Sequence, residues 1–165
     1  MTANNRNIEI GTAAEMIVCA DLILCGHRAF LSSQGLPYDV VLDIGTRLLR
    51  VTVKGTLAAA VRPAREASRV CYQFAALRSK RLKTGRSVTW AYTSNDADVF
   101  AFVALDRRIV GYVPIKDRLI TSWHVDPPGT TKSPLDRLGR RNSQNRKHFE
   151  DFTLAHALRA LGVGT

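Results

Sequence analysis

The chain has 165 residues, 45% of them apolar, and 24 lysines and arginines against 14 aspartates and glutamates, a net charge of +10. This length and composition exclude a disordered chain and fit one domain, 1–165, with a sizeable core. The positive excess points to a polyanionic partner, nucleic acid ahead of membrane. No apolar run approaches membrane-span length, and residues 1–10 lack a signal-peptide core. Three cysteines, Cys19, Cys25 and Cys71, have no CxxC spacing, which argues for a reducing compartment. A cytoplasmic location is expected.

Residues 1–8 read as a loose arm. From Ile8 to Leu24 apolar residues recur at mostly helical spacing. Thr12 followed by Glu15 is a capping-box pattern, and Gly26 is a stop signal, so the spacing predicts a helix over 12–25. Arg28–Ser32 is a short strand candidate. Asp39–Ile44 and Leu48–Lys54 are apolar, β-branched runs joined across Gly45-Thr46, the pattern of a hairpin. Residues 55–69 read as a basic loop and 70–75 as a strand. Residues 78–86 carry five positive charges in nine positions and read as an exposed turn. Val99–Leu105 is nearly all apolar, as expected of a strand buried on both faces. Ile109–Ile115 follows, then an irregular stretch over 116–134 broken by Pro127-Pro128-Gly129. A basic segment and an amphipathic helix near 145–161 close the chain. The order predicts a mixed α/β or α+β fold, a mixed central sheet flanked by helices.

The hairpin brings Asp39 and Lys54 together at one end of a small sheet. A carboxylate there holds a hard divalent cation, and an ammonium orients water or steadies phosphate charge, which suits metal-assisted phosphodiester cleavage. Each residue also has an ordinary reading. Asp39 alone is a solvated strand-entry residue, Lys54 an edge-strand lysine that blocks aggregation, and Glu15 the capping partner of Thr12. Asp43 shares a strand face with Asp39 but lies roughly 13 Å along it. Asp96 and Asp98 form a DxD pair, read as a turn residue and a partner for an arginine. His27, His124, His148 and His156 match no zinc spacing. His156 falls in an apolar helical pattern and is expected to be packed.

The order Gly11-Thr12-Ala13-Ala14-Glu15, Tyr38-Asp39, Val51-Thr52-Val53-Lys54 resembles the PD-(D/E)XK nuclease superfamily. Tyr72-Gln73-Phe74, Asp96-Ala97-Asp98-Val99-Phe100-Ala101 and Tyr112-Val113-Pro114-Ile115 are similar to a bacterial branch that includes group I intron homing endonucleases. The likeness covers residues 10–116 as a nuclease-like core with a restriction-endonuclease-like sheet, and leaves 117–165 as a basic loop and C-terminal helix. It implies a Mg²⁺- or Mn²⁺-dependent DNA endonuclease. Asp39 is then the principal metal ligand, assisted by Glu15 and the Val53 carbonyl, and Lys54 orients water or stabilises the scissile phosphate. Position 52 departs from the pattern: Thr52 stands where the superfamily has Asp or Glu and the intron branch accepts Gln. A hydroxyl offers a hard cation a dipole where a carboxylate offers a full charge.

The expected DNA-backbone contacts are Arg78, Lys80, Arg81 and Lys83 in the first basic run and Arg137, Arg140, Arg141, Arg146 and Lys147 in the second. Cutting both strands of double-stranded DNA takes two sites, so a homo-oligomer, dimer or tetramer, is expected. Three alternatives stay open: a non-catalytic DNA-binding protein on a nuclease-like fold, a junction- or repair-directed nuclease, and an RNA-binding basic protein.

Overall fold

The computed structural model describes residues 3–62, 69–82, 84–115, 121–130 and 147–163. Helix α1 spans Ala3–Leu24 and strand β1 Arg28–Leu31; β2 (Val40–Asp43) and β3 (Leu48–Thr56) form the expected hairpin. β4 (Ala60–Arg62) and β5 (Arg69–Ala75) follow, then β6 (Leu77–Arg81) and β7 (Ser87–Ala91). β8 (Val99–Ala104), β9 (Ile109–Pro114), β10 (Ser122–Asp126) and β11 (Lys147–His148) precede a 3-10 turn over Phe149–Asp151 and helix α2, Leu154–Ala160.

The strands make a five-stranded sheet in the order β1-β2-β3-β8-β9, a four-stranded sheet β11-β10-β5-β4 and a two-stranded ribbon β6-β7. The five-stranded sheet is mixed. β3 and β8 are parallel, with Thr52 beside Phe100, while the other pairs are antiparallel. The fold is therefore α+β with a mixed sheet.

β8 explains the layering. Val99, Ala101 and Val103 join the core formed with α1, whose buried stripe is Ala14, Val18 and Leu22, and with α2. Phe100, Phe102 and Ala104 face the other way, into the aromatic core of Tyr72, Phe74 and Trp123 on the second sheet and Phe149 in the turn after it. All six residues are buried, as the apolar run predicts. Two glycines allow the close approaches this needs. A Cβ on Gly111 would fall 2.3 Å from the Phe102 ring, and one on Gly55 would fall 2.7 Å from the Ala14 Cβ. The second contact seats α1 directly on β3.

Several expectations are corrected. α1 starts at Ala3, not at Thr12. Nothing between Ala3 and Gly11 terminates a helix, and one internal glycine is tolerated at about 1 kcal/mol. Residues 55–69 contain the end of β3 and all of β4, and residues 78–86 supply much of a β-ribbon, so neither run is a loop alone. β10 lies inside the stretch expected to be irregular. It is held by antiparallel pairing to β5, a long-range partner that local composition does not reveal. The final helix is short, because Phe149 and Phe152 turn into the aromatic core and Thr153 caps α2, accepting from the His156 N–H at 3.2 Å. His156 consequently faces solvent, and the buried histidine is His148. No helix among the described residues is long and apolar enough to cross a membrane.

Candidate active site

Asp39 directly precedes β2. Its backbone N–H donates to the Val51 carbonyl at 2.9 Å, which extends the hairpin ladder by one residue and fixes the carboxylate beside β3. There Oδ2 accepts from the Val53 N–H at 2.6 Å and from the Thr52 hydroxyl at 3.2 Å. Both donors go to one oxygen, and no donor among the described residues reaches Oδ1. In a strand, the N–H and C=O of one residue point to the same side. The Val53 carbonyl is therefore directed to the Asp39 side of β3, past the end of β2.

Glu15 enters from α1, one residue after Ala14, whose methyl meets β3 at Gly55. It is half-buried. Burial first, and the Asp39 charge second, raise its pKa above the usual carboxylate range, while the Lys54 ammonium pulls it back in part. Because α1 runs through Thr12 without a break, Glu15 is mid-helix and is not a capping-box residue. Lys54, two residues beyond Thr52 on β3, lies with its ammonium 5.5 Å from the centroid of the Tyr92 ring. The structure thus brings Glu15, Asp39, Thr52, Val53 and Lys54 together from three elements. Thr52 is fully buried, and its hydroxyl is turned onto Asp39.

No local sequence pattern places Tyr92 at this site. Its contact with Lys54 depends on pairings that only the fold makes. Asp43 is occupied in the hairpin turn, where it accepts from the Gly45 N–H at 2.8 Å. Asp98 and Asp96 are structural. Asp98 accepts from the Arg50 backbone N–H at 2.8 Å and its Nε at 3.0 Å. Burial pushes Asp98 up, but these Arg50 bonds outweigh it and hold its carboxyl below the usual range. Asp96 pairs with Arg78.

Of the expected DNA contacts, Arg78 is partly engaged by Asp96 and by the Trp90 ring, 5.2 Å from its centroid. Lys80 and Arg81 belong to β6. Lys147, on β11, has its ammonium 3.4 Å from the Trp123 ring centroid, so it covers an aromatic face and is not at a loop tip. Lys83, Arg137, Arg140, Arg141 and Arg146 lie outside the described residues. No cluster of three or more His, Cys, Asp or Glu side chains suited to a metal occurs among the described residues.

Compared with solved structures, the chain is similar to the bacterial homing endonuclease I-Ssp6803I, with a TM-score of 0.55. The match covers 80% of this chain and 86% of that one at 18% identity. The two chains share a similar fold. No protein-family model and no curated protein matches the chain.

Proposed function

We propose that the chain is a metal-dependent endonuclease of the PD-(D/E)XK type that hydrolyses phosphodiester bonds in double-stranded DNA as a homo-oligomer. The observation that carries this is the meeting of Glu15, Asp39 and Lys54 at one end of the sheet, in a fold similar to that of I-Ssp6803I. The donor set fits a hard cation. It offers two neighbouring carboxylates and a backbone carbonyl, all oxygen, and Mg²⁺ needs only one or two carboxylates beside substrate phosphate and water. Bound there, Mg²⁺ or Mn²⁺ supplies Lewis-acid stabilisation of phosphoryl charge and a more acidic water.

The chain's own residues do the rest. Thr52 and Val53 lock the Asp39 carboxylate by one oxygen and leave the other to face a ligand. Glu15 is held above its usual pKa by burial and by Asp39, so a cation held by these residues would favour its ionised form. Lys54 places a positive charge where a phosphate or attacking water is oriented, and the Tyr92 ring limits where that ammonium rests. The +10 charge and the basic runs support a DNA substrate.

The test is nicking of supercoiled plasmid with Mg²⁺, with Mn²⁺ and with chelator, alongside Lys54→Ala. Metal-dependent nicking that disappears in the variant supports the reading, and nicking that persists in Lys54→Ala overturns the site. A second reading, a non-catalytic DNA-binding protein, is favoured by Thr52, which adds no anionic ligand. It predicts duplex binding without nicking in either metal, and activity appearing in Thr52→Glu or Thr52→Gln.

A further inference from the structure

β6 and β7 pair with each other and with neither larger sheet. Their register sets Arg78 opposite Trp90, Ser79 opposite Thr89, Lys80 opposite Val88 and Arg81 opposite Ser87. Side chains alternate across a strand, so the ribbon has two chemically different faces. One carries Arg78, Val88 and Trp90. The other carries Ser79, Ser87 and Thr89, three small hydroxyl residues. Ser79, Ser87 and Thr89 are all exposed.

The ribbon is anchored on one face. Arg78 pairs with Asp96, and its guanidinium lies 5.2 Å from the Trp90 ring centroid, which ties the Arg78 face to the body at the root of the ribbon while Val88 and Trp90 stay exposed. The hydroxyl face is left outward. At the tip the Leu82 N–H donates to the Arg86 carbonyl at 2.8 Å and Gly85 takes φ 81°, a tight loop that keeps the ribbon narrow. At the root, β7 leads directly into Tyr92, whose ring faces the Lys54 ammonium. A two-stranded ribbon by itself is marginally stable, and this one carries five cations over residues 78–86.

We propose that the Ser79, Ser87 and Thr89 face of the β6–β7 ribbon reads base edges in the major groove of duplex DNA next to the candidate active site. The inference rests on the nuclease reading above. The major groove admits a two-stranded ribbon, and hydroxyls donate to or accept from base edges. Five residues of strand reach roughly 16 Å, about five base-pair rises at 3.4 Å each. The bases read therefore lie within about five pairs of the candidate site.

The test is selection of bound duplexes from a randomised library, in chelator so that ligands survive, with wild type, Ser79→Ala/Thr89→Ala and Arg86→Ala. The double variant is expected to lose roughly tenfold discrimination at two or three adjacent base pairs. The slope of its affinity against salt concentration stays fixed, because no charge is removed. Arg86→Ala, at the tip, is expected to weaken binding to all sequences alike and to reduce that slope by about one. Both substitutions are on exposed residues, and an unchanged thermal midpoint confirms that the fold is intact. If wild type and the double variant enrich the same motif, or if wild type binds and nicks duplex with no base preference, the ribbon proposal falls and the nuclease reading stands. If no duplex is bound at all, both fall.

Discussion

Asp39 and Asp98 are placed by the same device and end in opposite circumstances. Each directly precedes a strand that flanks β3: Asp39 before β2, and Asp98 before β8. Each accepts a backbone N–H of β3 on Oδ2, from Val53 at 2.6 Å and from Arg50 at 2.8 Å. Asp98 then receives the Arg50 guanidinium on both oxygens, at 3.0 and 3.1 Å. Among the described residues Asp39 receives, besides that N–H, only the Thr52 hydroxyl, and it faces a second carboxylate, Glu15. A carboxylate with its own cation is complete and serves the fold. Asp39, beside another carboxylate and with no donor on Oδ1 among the described residues, has no such guanidinium partner, which suits the metal role proposed above.

The sharpest way to break this contrast is Asp39→Asn. Cleavage is expected to fall roughly a thousandfold or more, as several kcal/mol of transition-state stabilisation are withdrawn. The thermal midpoint is expected to hold or rise, because like-charge repulsion with Glu15 is relieved. A large drop in the midpoint would put Asp39 in the same class as Asp98. Asp98→Ala should behave in the reverse way. It removes charge-assisted bonds from a half-buried arginine and costs about 2 kcal/mol, or roughly 4–8 °C in a protein of this size. Metal-dependent nicking at 25 °C should be retained.

Gly55→Ala tests whether the Glu15 side of the site depends on helix seating. The new Cβ meets Ala14 at 2.7 Å, so α1 must shift, at about 1–3 kcal/mol. Denaturant melts are expected to show that loss together with slower nicking. Unchanged nicking would mean that Glu15 needs no such placement.

The pH response follows from the same pair. The folded-state pKa of Asp98 is depressed, so its contribution is complete above the unfolded carboxylate value of about 3.9 and is lost as pH falls through the folded value. Thermal melts of wild type should therefore steepen below about pH 4, and those of Asp98→Ala should steepen less. The smallest effect is that of Glu15→Gln. The raised Glu15 pKa means that ionisation opposes folding once pH exceeds the unfolded value near 4.3. Without metal at neutral pH the variant should melt slightly above wild type, and addition of Mg²⁺ should raise its midpoint less.

Much of the frame is legible in the residues. The β-branched runs around Gly45 specify the β2–β3 hairpin, and the hairpin alone sets Asp39 against Thr52, Val53 and Lys54. The unbroken apolar run at 99–104 specifies a strand with cores on both faces. Other features escape a local reading. The charge run at 78–86 conceals strand β6, since cations on an exposed ribbon follow no apolar alternation. Strand β10 and the short final helix depend on the aromatic core that Trp123, Phe149 and Phe152 enter.

By itself the sequence determined the β2–β3 hairpin and the positions of Asp39 and Lys54 on it, because hairpin pairing is a near-neighbour property fixed by alternation and turn chemistry. Only the tertiary structure decided which aspartate is neutralised and which stays available. Arg50 meets Asp98 across 48 residues and Glu15 meets Asp39 across a helix–sheet contact. Such long-range approach is set by packing, through a bare Cα at Gly55, and not by any local pattern.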